Sequence, residues 1–202
     1  MTSPVALIFG AGAKVGNSVA KTFLAEGYNV ALASRSQNPE TSTANELHIP
    51  TDCADTDSVL QAFAKVRSVF GHPSVVIYNA AWGGGNINPT DIFEVLLGFF
   101  KSSTAVNIFS AYAAAQEAVK GWKELLPSSK PTFIYTGNCE NVAPIPALMA
   151  LGVGKAGAAA FIEIAAKVYK HKGYKFYYAD EREEDGTPMW DGTNGRPCAV
   201  VY

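Results

Sequence analysis

Three glycines stand close together near the start of the chain, directly after the apolar run VALIF. Gly10, Gly12 and Gly16 have the spacing G-x-G-x-x-x-G and precede a stretch with helical periodicity. Glycine at such a turn lets backbone N–H groups approach a pyrophosphate, and the N-terminus of the following helix favours negative charge. The spacing differs from the commonest dinucleotide fingerprint, and glycines also serve plain strand–helix packing. The turn, which includes Lys14 and Val15, predicts a nucleotide- or phosphate-binding site.

The residues after the second apolar run indicate which nucleotide would bind. An Asp or Glu at the end of that strand would hold a ribose 2′-hydroxyl, but Ser34, Arg35 and Ser36 stand there instead. A guanidinium flanked by hydroxyls suits an additional phosphate, so the sequence favours NADP (NADPH) over NAD. The alternative is that Arg35 is a solvated surface residue. Asp52 is placed either to accept a hydrogen bond from the adenine amino group or, like Asp55, to cap the helix that follows.

These residues must be positioned by an alternation of strands and helices. Short apolar runs typical of strands buried on both faces lie at 5–9, 29–34, 74–79, 132–137 and 175–179, with a weaker run at 46–52. Longer stretches with helical periodicity lie at 15–26, 56–70, 91–100, 103–124 and 153–171. The alternation predicts an α/β protein with a Rossmann-like, doubly wound parallel sheet.

The whole chain, residues 1–202, is predicted to form a single Rossmann-like NAD(P)-binding domain. The composition changes after Asp180, where the chain is first charged and then rich in Gly and Pro. Residues 180–197 are therefore predicted to be irregular loop. The residues AVVY would add one last short strand beside 175–179, so the fold is expected to be shortened at its C-terminus.

Composition argues against several functions. The net charge is −2 without a basic block, which favours neither nucleic acid nor an anionic membrane as a partner. Three cysteines without metal-like spacing, and the scattered His48, His72 and His171, argue against a metal site. We find no signal peptide and no uncharged apolar run of ~18 residues, so we expect a cytoplasmic protein with reduced thiols.

Motifs along residues 5–179 together resemble the short-chain dehydrogenase/reductase family. FGAGAKVG (9–16) is similar to the family's T-G-x-x-x-G-x-G turn, with Phe9 in place of the threonine and Lys14 in place of the middle glycine. ASRS (33–36) looks like members of the family that prefer NADP. The resemblance implies an oxidoreductase that binds a nicotinamide cofactor and acts on a small molecule.

Two further motifs support the resemblance. YNAA (78–81) keeps Asn79 and Ala80 of the family's N-N-A-G motif, which implies that both residues contact the cofactor. AVNIFSAYAAAQEA (105–118) matches the family's central-helix motif and places Asn107 on the active-site asparagine. No motif is intact, but their order and spacing are specific to the family.

The sequence departs from the family at the catalytic pair. The family uses a serine after the fifth strand and a Y-x-x-x-K motif about a dozen residues later. Here Lys155 is retained, Leu151 stands at the tyrosine and Asn138 at the serine. The loop 137–155 has the family's length, so these are substitutions and the chain is identified as an atypical member that lacks the catalytic Tyr and Ser. YYADERE (177–183) also replaces the family's P-G turn.

The resemblance leaves Asn107, Asn138 and Lys155 as candidate catalytic residues, with Lys155 also holding the nicotinamide ribose. The family's tyrosine donates a proton to the substrate carbonyl. Leucine cannot do this, and the loss of a general acid typically removes ~10²–10⁴-fold of rate. Plainer roles stay open: Asn107 at a helix kink, Asn138 as a loop cap and Lys155 as a ribose ligand alone. Other possible proton donors are Tyr112, Tyr135, Cys139 and Glu140.

We therefore favour an NADP-binding oxidoreductase that acts on a small organic substrate with a non-standard proton source. Two alternatives stay open. One is a non-redox enzyme, such as an isomerase, dehydratase or cyclase, on the same scaffold. The other is a catalytically silent NAD(P)-binding regulatory or partner subunit. Because family members commonly pair through the helices that correspond to 103–120 and 153–170, we expect a homodimer.

Overall fold

One sheet of six strands, in which every neighbouring pair is parallel, organises the chain. The computed structural model describes residues 3–83 and 88–188, and within them the strand order is β3-β2-β1-β4-β5-β6. The strands are β1 (Val5–Phe9), β2 (Asn29–Ser34), β3 (Glu46–Pro50), β4 (Val75–Tyr78), β5 (Thr132–Thr136) and β6 (Lys175–Ala179). This order confirms the predicted Rossmann-like, doubly wound α/β fold.

Five α-helices accompany the strands: α1 (Val15–Ala25), α2 (Thr56–Val69), α3 (Leu97–Thr104), α4 (Ser110–Trp122) and α5 (Met149–Tyr169). A π-helical turn, Ala105–Phe109, joins α3 to α4 without a break. The helical stretch predicted at 91–100, continuing into 103–124, is therefore one continuous helix. It begins at Leu97 because a short 3₁₀ turn, capped by the Asp91 side chain, occupies Ile92–Glu94.

Apolar side chains cover both faces of the sheet, as expected for strands that are apolar at every position. Leu7 and Phe9 of β1 face a core shared with α2, α4 and α5. Ala6 and Ile8 face the opposite core, which α1 covers. A row of stacked phenol rings, Tyr78, Tyr135 and Tyr178, crosses β4, β5 and β6 on the first of these faces, with centroids 5.8 and 5.7 Å apart.

Helix α5 begins four residues earlier than its sequence predicts, because two glycines near its start lie against other elements. A Cβ on Gly152 would lie 2.9 Å from Oε2 of Glu140. A Cβ on Gly154 would lie 2.6 Å from the Cβ of Asn107. These glycines therefore allow close packing of the helix and do not mark a loop.

By length and composition, one helical stretch of the described residues could cross a membrane. It runs from Pro146 to Lys172 with a mean hydropathy of 1.5, and a third of its most apolar part is buried. Ala158 and Ile162 within it belong to the core beside α2 and α4. The core helix of a soluble protein has the same composition, so the stretch is weak support for a membrane span.

The segment after β6 is described only as far as residue 188. An isolated antiparallel bridge pairs Arg182 with Pro188, and Arg182 forms a salt bridge of 2.6 Å with Asp180. The rest of the predicted loop at 180–197 and the predicted strand AVVY lie outside the described residues.

A substitution at Gly10 tests the close contact between the end of β1 and the end of β4. The φ of Gly10 is +71°, and an added Cβ would lie 2.4 Å from the backbone nitrogen of Ala80. Gly10→Ala should therefore lower the free energy of unfolding by at least about 2 kcal/mol in urea titrations.

Gly12→Ala is the matched control for this substitution. Its added Cβ would lie no closer than 4.0 Å to its nearest neighbour. We expect a change within about 0.5 kcal/mol. Equal stability of the two variants would contradict the close approach of β1 and β4.

Candidate functional site

A cleft of about 660 Å³ opens at the carboxyl ends of the parallel strands, between β1 and β4. Ligands of doubly wound sheets bind at this point, where the strand order reverses direction. The volume is within the usual range for small-molecule sites. The cleft brings together seven of the residues predicted to hold a cofactor: Gly10, Gly12, Ser34, Arg35, Asp52, Asn79 and Ala80.

The floor of the cleft is the glycine turn that follows β1. The backbone N–H of Gly10 donates to the carbonyl of Ala33 at 2.8 Å, which fixes the turn on β2. The side-chain amide of Asn79 donates to the Gly10 carbonyl at 2.9 Å. The predicted cofactor residue Asn79 thus also holds the turn in place.

Four of the predicted cofactor residues are not in the lining: Lys14, Val15 and Gly16 lie beside the cleft, and Lys155 lies on α5. Lys14 is exposed and occupies the N-cap position of α1 without a side-chain capping hydrogen bond, and Val15 is the first residue of that helix. Gly16 is buried, and a Cβ there would lie 2.5 Å from the Cα of Ala11. Gly16 therefore lets α1 pack closely on the turn, and cofactor contacts of these three residues stay a prediction.

The rim at the end of β2 is polar. Ser34 is half-buried, whereas Arg35 and Ser36 are exposed, and all three line the cleft. Asp52 also lines it, and its side chain accepts from the backbone N–H of Ala54 at 2.9 Å. The side chain that caps α2 is Asp55, so of the two roles weighed for Asp52 the cap belongs to its neighbour.

Asn107 lies in the π-helical turn and is completely buried. Its side-chain nitrogen donates to the carbonyl oxygens of Trp82 and of Ser103, the latter at 2.9 Å. Its side-chain oxygen accepts from the backbone N–H of Trp82 at 3.4 Å. The side chain therefore fastens the loop after β4 to the central helix, and its catalytic role stays a prediction.

Two phenols of the sheet bind carbonyl groups at the π-helical turn. Tyr78 donates to the carbonyl of Val106 at 2.6 Å, and Tyr135 donates to that of Asn107 at 3.1 Å. A π-helical turn frees carbonyl groups from the ordinary helical pattern, and these hydroxyls satisfy them. Burial raises the pKa of both phenols, so neither is a ready proton donor to a substrate.

Lys155 projects from α5 into the protein. Its Nζ donates to the carbonyl of Thr136 at 2.8 Å and lies 4.7 Å from the centroid of the Tyr135 ring. Burial lowers the pKa of Lys155 to about 8, and the negative charge of Asp180 opposes this shift more weakly. The amine can therefore gain or lose a proton near neutral pH.

Asn138 follows β5 and caps a 3₁₀ turn, with its side-chain oxygen accepting from the N–H of Glu140 at 3.2 Å. Its backbone is held by Tyr178, whose hydroxyl donates to the Asn138 carbonyl at 2.8 Å and accepts from its N–H at 3.2 Å. Burial raises the pKa of Tyr178 to about 12. Sequence reasoning assigned the tyrosines around β6 to core or interface and missed this contact. The sequence feature that could have indicated this contact is YYADERE (177–183), which replaces the family's P-G turn.

The other candidate proton donors differ in exposure. Cys139 and Glu140 are buried, which raises the pKa of both side chains. Oε2 of Glu140 accepts from the N–H of Ile145 at 3.3 Å, while its Oε1 is buried without a hydrogen-bond partner. Tyr112 is 56% exposed on α4 and packs edge-on against Phe161 of α5.

Leu151 packs on the loop after β4. A Cβ on Gly83 would lie 2.5 Å from the Cβ of Leu151. The residues that line the cleft on this side are Ala81, Trp82, Ser102 and Val106. An apolar contact therefore joins the start of α5 to this loop.

Comparisons with known proteins agree with this fold. The family model described as short chain dehydrogenase matches residues 4–178. The short chain dehydrogenase/reductase dmxR12 of Cryptosporiopsis sp. (strain 8999) is 40% identical over 212 residues, covering 100% of this chain and 86% of that protein.

Two solved structures are similar at low sequence identity and support the fold. A short-chain dehydrogenase/reductase from Serratia marcescens aligns with a TM-score of 0.81 at 21% identity, covering 99% of this chain and 87% of its own. An oxidoreductase of the same family from Brucella ovis, in complex with a partially ordered NAD, has a TM-score of 0.78 at 16% identity, with coverages of 98% and 91%.

The lowered pKa of Lys155 predicts a specific dependence of stability on pH. Between its folded value of about 8 and its ordinary value of 10.5, the unfolded chain binds a proton that the folded chain does not. The stability of the wild type relative to Lys155→Met should therefore rise with pH across this window, by about 3 kcal/mol in total. Urea titrations at several pH values measure it. Lys175→Met, at an exposed lysine of β6, is the control, and its difference in unfolding free energy from the wild type should not change with pH. A difference for Lys155→Met that is equally independent of pH would contradict the burial of the Lys155 cation.

Proposed function

The chain belongs to the short-chain dehydrogenase/reductase family, whose members are oxidoreductases that bind NAD or NADP, and from this premise we propose an NADP-binding oxidoreductase. It acts on a small organic substrate and uses a non-standard proton source. The observation that carries the proposal is the rim at the end of β2. Ser34, Arg35 and Ser36 line the cleft there, and the family's NAD-binding carboxylate is absent from this position.

The roles of the cleft residues follow from their positions. Gly10 and Gly12 shape the glycine turn, since their own N–H groups bond to the carbonyls of Ala33 and Gly10, and the start of α1 at Lys14, Val15 and Gly16 faces the pyrophosphate. These five residues form the phosphate-binding turn in our proposal. When bound, NADPH supplies the hydride.

The remaining cofactor contacts lie along the cleft. Asp52 accepts from the adenine amino group, and Arg35 pairs with the 2′-phosphate in a charge-assisted contact. Asn79 and Ala80 border the nicotinamide half. Lys155 binds the nicotinamide ribose, for which its Nζ must leave the Thr136 carbonyl.

Glu140 is our candidate for the proton source in this atypical member, which lacks the family's Tyr and Ser. Its carboxyl group has a raised pKa, one oxygen without a partner, and a position against Gly152, next to Leu151. A carboxyl kept protonated by burial is an established kind of general acid. The side chain is only 1% exposed, so the proton must reach the substrate through a rearrangement or a water. Asn138, two residues earlier, offers its amide N–H to the substrate carbonyl.

A second candidate function is a catalytically silent NADP-binding subunit. The packing of Leu151 on Gly83 favours it, because this apolar contact occupies the place of the proton donor. The two candidates share the cofactor cleft and differ only on the substrate side.

We also propose that the chain forms one domain and a homodimer. Large apolar side chains on the two helices that family members use for pairing are exposed to solvent. They are Phe109, Tyr112, Val153, Ile164 and Val168. An apolar surface of this kind is typical of an interaction site.

Arg35 should determine the choice between the two nicotinamide cofactors. NADPH should raise the melting temperature more than NADH at equal concentration, because the ligand stabilises the folded state according to its affinity. Arg35→Gln should weaken NADPH binding by about tenfold to a hundredfold and leave NADH binding nearly unchanged. Arg67→Gln, near the far end of α2, is the control. No shift with either cofactor would refute cofactor binding, and equal shifts would refute the NADP preference.

Restoring the family's catalytic pair separates the two candidate functions. Leu151→Tyr combined with Asn138→Ser should raise NADPH oxidation by at least about tenfold with a panel of small ketones, enones and imines. Absorbance of NADPH measures the rate, and melting temperature with NADPH shows that the variant folds and binds. A folded, NADPH-binding variant without any gain would favour the silent subunit.

A further inference from the structure

Three side chains behind the rim of the cleft form a continuous chain of hydrogen bonds. Glu46 and His48 lie on β3, and Gln37 lies in the turn that follows β2. Oε1 of Glu46 is 2.8 Å from Nε2 of His48, and Nδ1 of His48 is 2.6 Å from Oε1 of Gln37. Gln37 in turn binds the Ala11 carbonyl at 3.0 Å and the Ser34 hydroxyl at 3.1 Å. We call Glu46, His48 and Gln37 the rim relay.

The chemistry of the acceptors fixes the direction of each bond in the rim relay. A carbonyl can only accept, so the Gln37 amide must present its NH₂ group to Ala11 and its oxygen to His48. The amide oxygen and the Glu46 carboxylate also only accept, so both ring nitrogens of His48 must donate. The His48 ring is therefore held from both sides, by Glu46 at Nε2 and by Gln37 at Nδ1.

This direction has a consequence for Ser34. Its oxygen accepts from Gln37, so its own proton is free to be donated elsewhere. Ser34 lines the cleft, and the nearest hydroxyl is that of Ser36 at 3.4 Å, which is long for such a bond. An anion in the cleft accepts hydrogen bonds only, so the rim relay prepares Ser34 as a donor to it.

The rim relay also ties two parts of the cleft to each other. Ala11 lies between Gly10 and Gly12 in the turn proposed to hold the pyrophosphate, and Ser34 begins the rim proposed to hold the 2′-phosphate. Both NH₂ hydrogens of Gln37 are used, one on each part. The amide therefore sets the separation between the two anion-binding ends of the cleft.

Resting on the proposed NADP-binding function, we propose that Gln37 and His48 are positioning residues for the 2′-phosphate. Gln37 orients the Ser34 hydroxyl and the glycine turn, and His48, held by Glu46, orients Gln37. NADPH requires the oriented Ser34 hydroxyl for its 2′-phosphate, whereas NADH lacks that phosphate and uses only the rest of the cleft.

The test measures dissociation constants of NADPH and NADH for Gln37→Met, His48→Leu and the double variant by calorimetry. Each single variant should lower the preference for NADPH over NADH by about fivefold to tenfold, which is the size of the effect of one ordinary hydrogen bond. The double variant should lose no more than Gln37→Met alone, because His48 acts through Gln37. His171→Leu removes an exposed histidine near the amino end of β6 and serves as the control, with its preference unchanged.

Three outcomes would overturn the proposal. One is an unchanged preference in Gln37→Met, at a half-buried position. Another is a loss in the double variant equal to the product of the single losses, since His48 would then act independently. A third is a wild type without any preference for NADPH, which refutes the NADP assignment itself. If His48→Leu fails to fold, His48→Gln replaces it in both the single and the double variant.

Discussion

The structure depends on the close approach of two parallel strands where the sheet reverses its order. The turn after β1 passes so near the backbone of Ala80 that Gly10 has no room for a side chain, and its positive φ suits glycine. The amide of Asn79 fixes the same turn through the Gly10 carbonyl. Because β1 and β4 part at this point, a cleft opens there beside the N-terminus of α1, as in other doubly wound sheets.

The two sides of the cleft differ in what their residues contact. On the cofactor side, the turn, the rim and Asn79 keep the groups that a dinucleotide requires. On the substrate side, Asn107 is committed to the loop after β4, and Leu151 packs against the same loop at Gly83. Asn107 and Leu151 thus pack on one loop, while Lys155, with its lowered pKa, stays a candidate for the chemistry of the site.

Much of the fold follows from local sequence, because strands buried on both faces are apolar at every position and β6 begins and ends where its run does. The start of α5 was harder to predict, because it depends on contacts with distant segments: Gly154 packs on Asn107. The candidate site was harder to predict from the sequence for the same reason. Glu140 resembles a solvated loop acid in sequence, yet it is buried, and the contact of Tyr178 with Asn138 joins segments forty residues apart. Such contacts have no periodicity to reveal them.

A crystal structure of the protein with NADPH tests the central claim most directly. The account predicts the pyrophosphate against the glycine turn and the N-terminus of α1, the 2′-phosphate between Ser34 and Arg35, and the nicotinamide toward Asn79. An ordered dinucleotide elsewhere on the molecule, or an empty cleft in crystals grown at saturating NADPH, would contradict it.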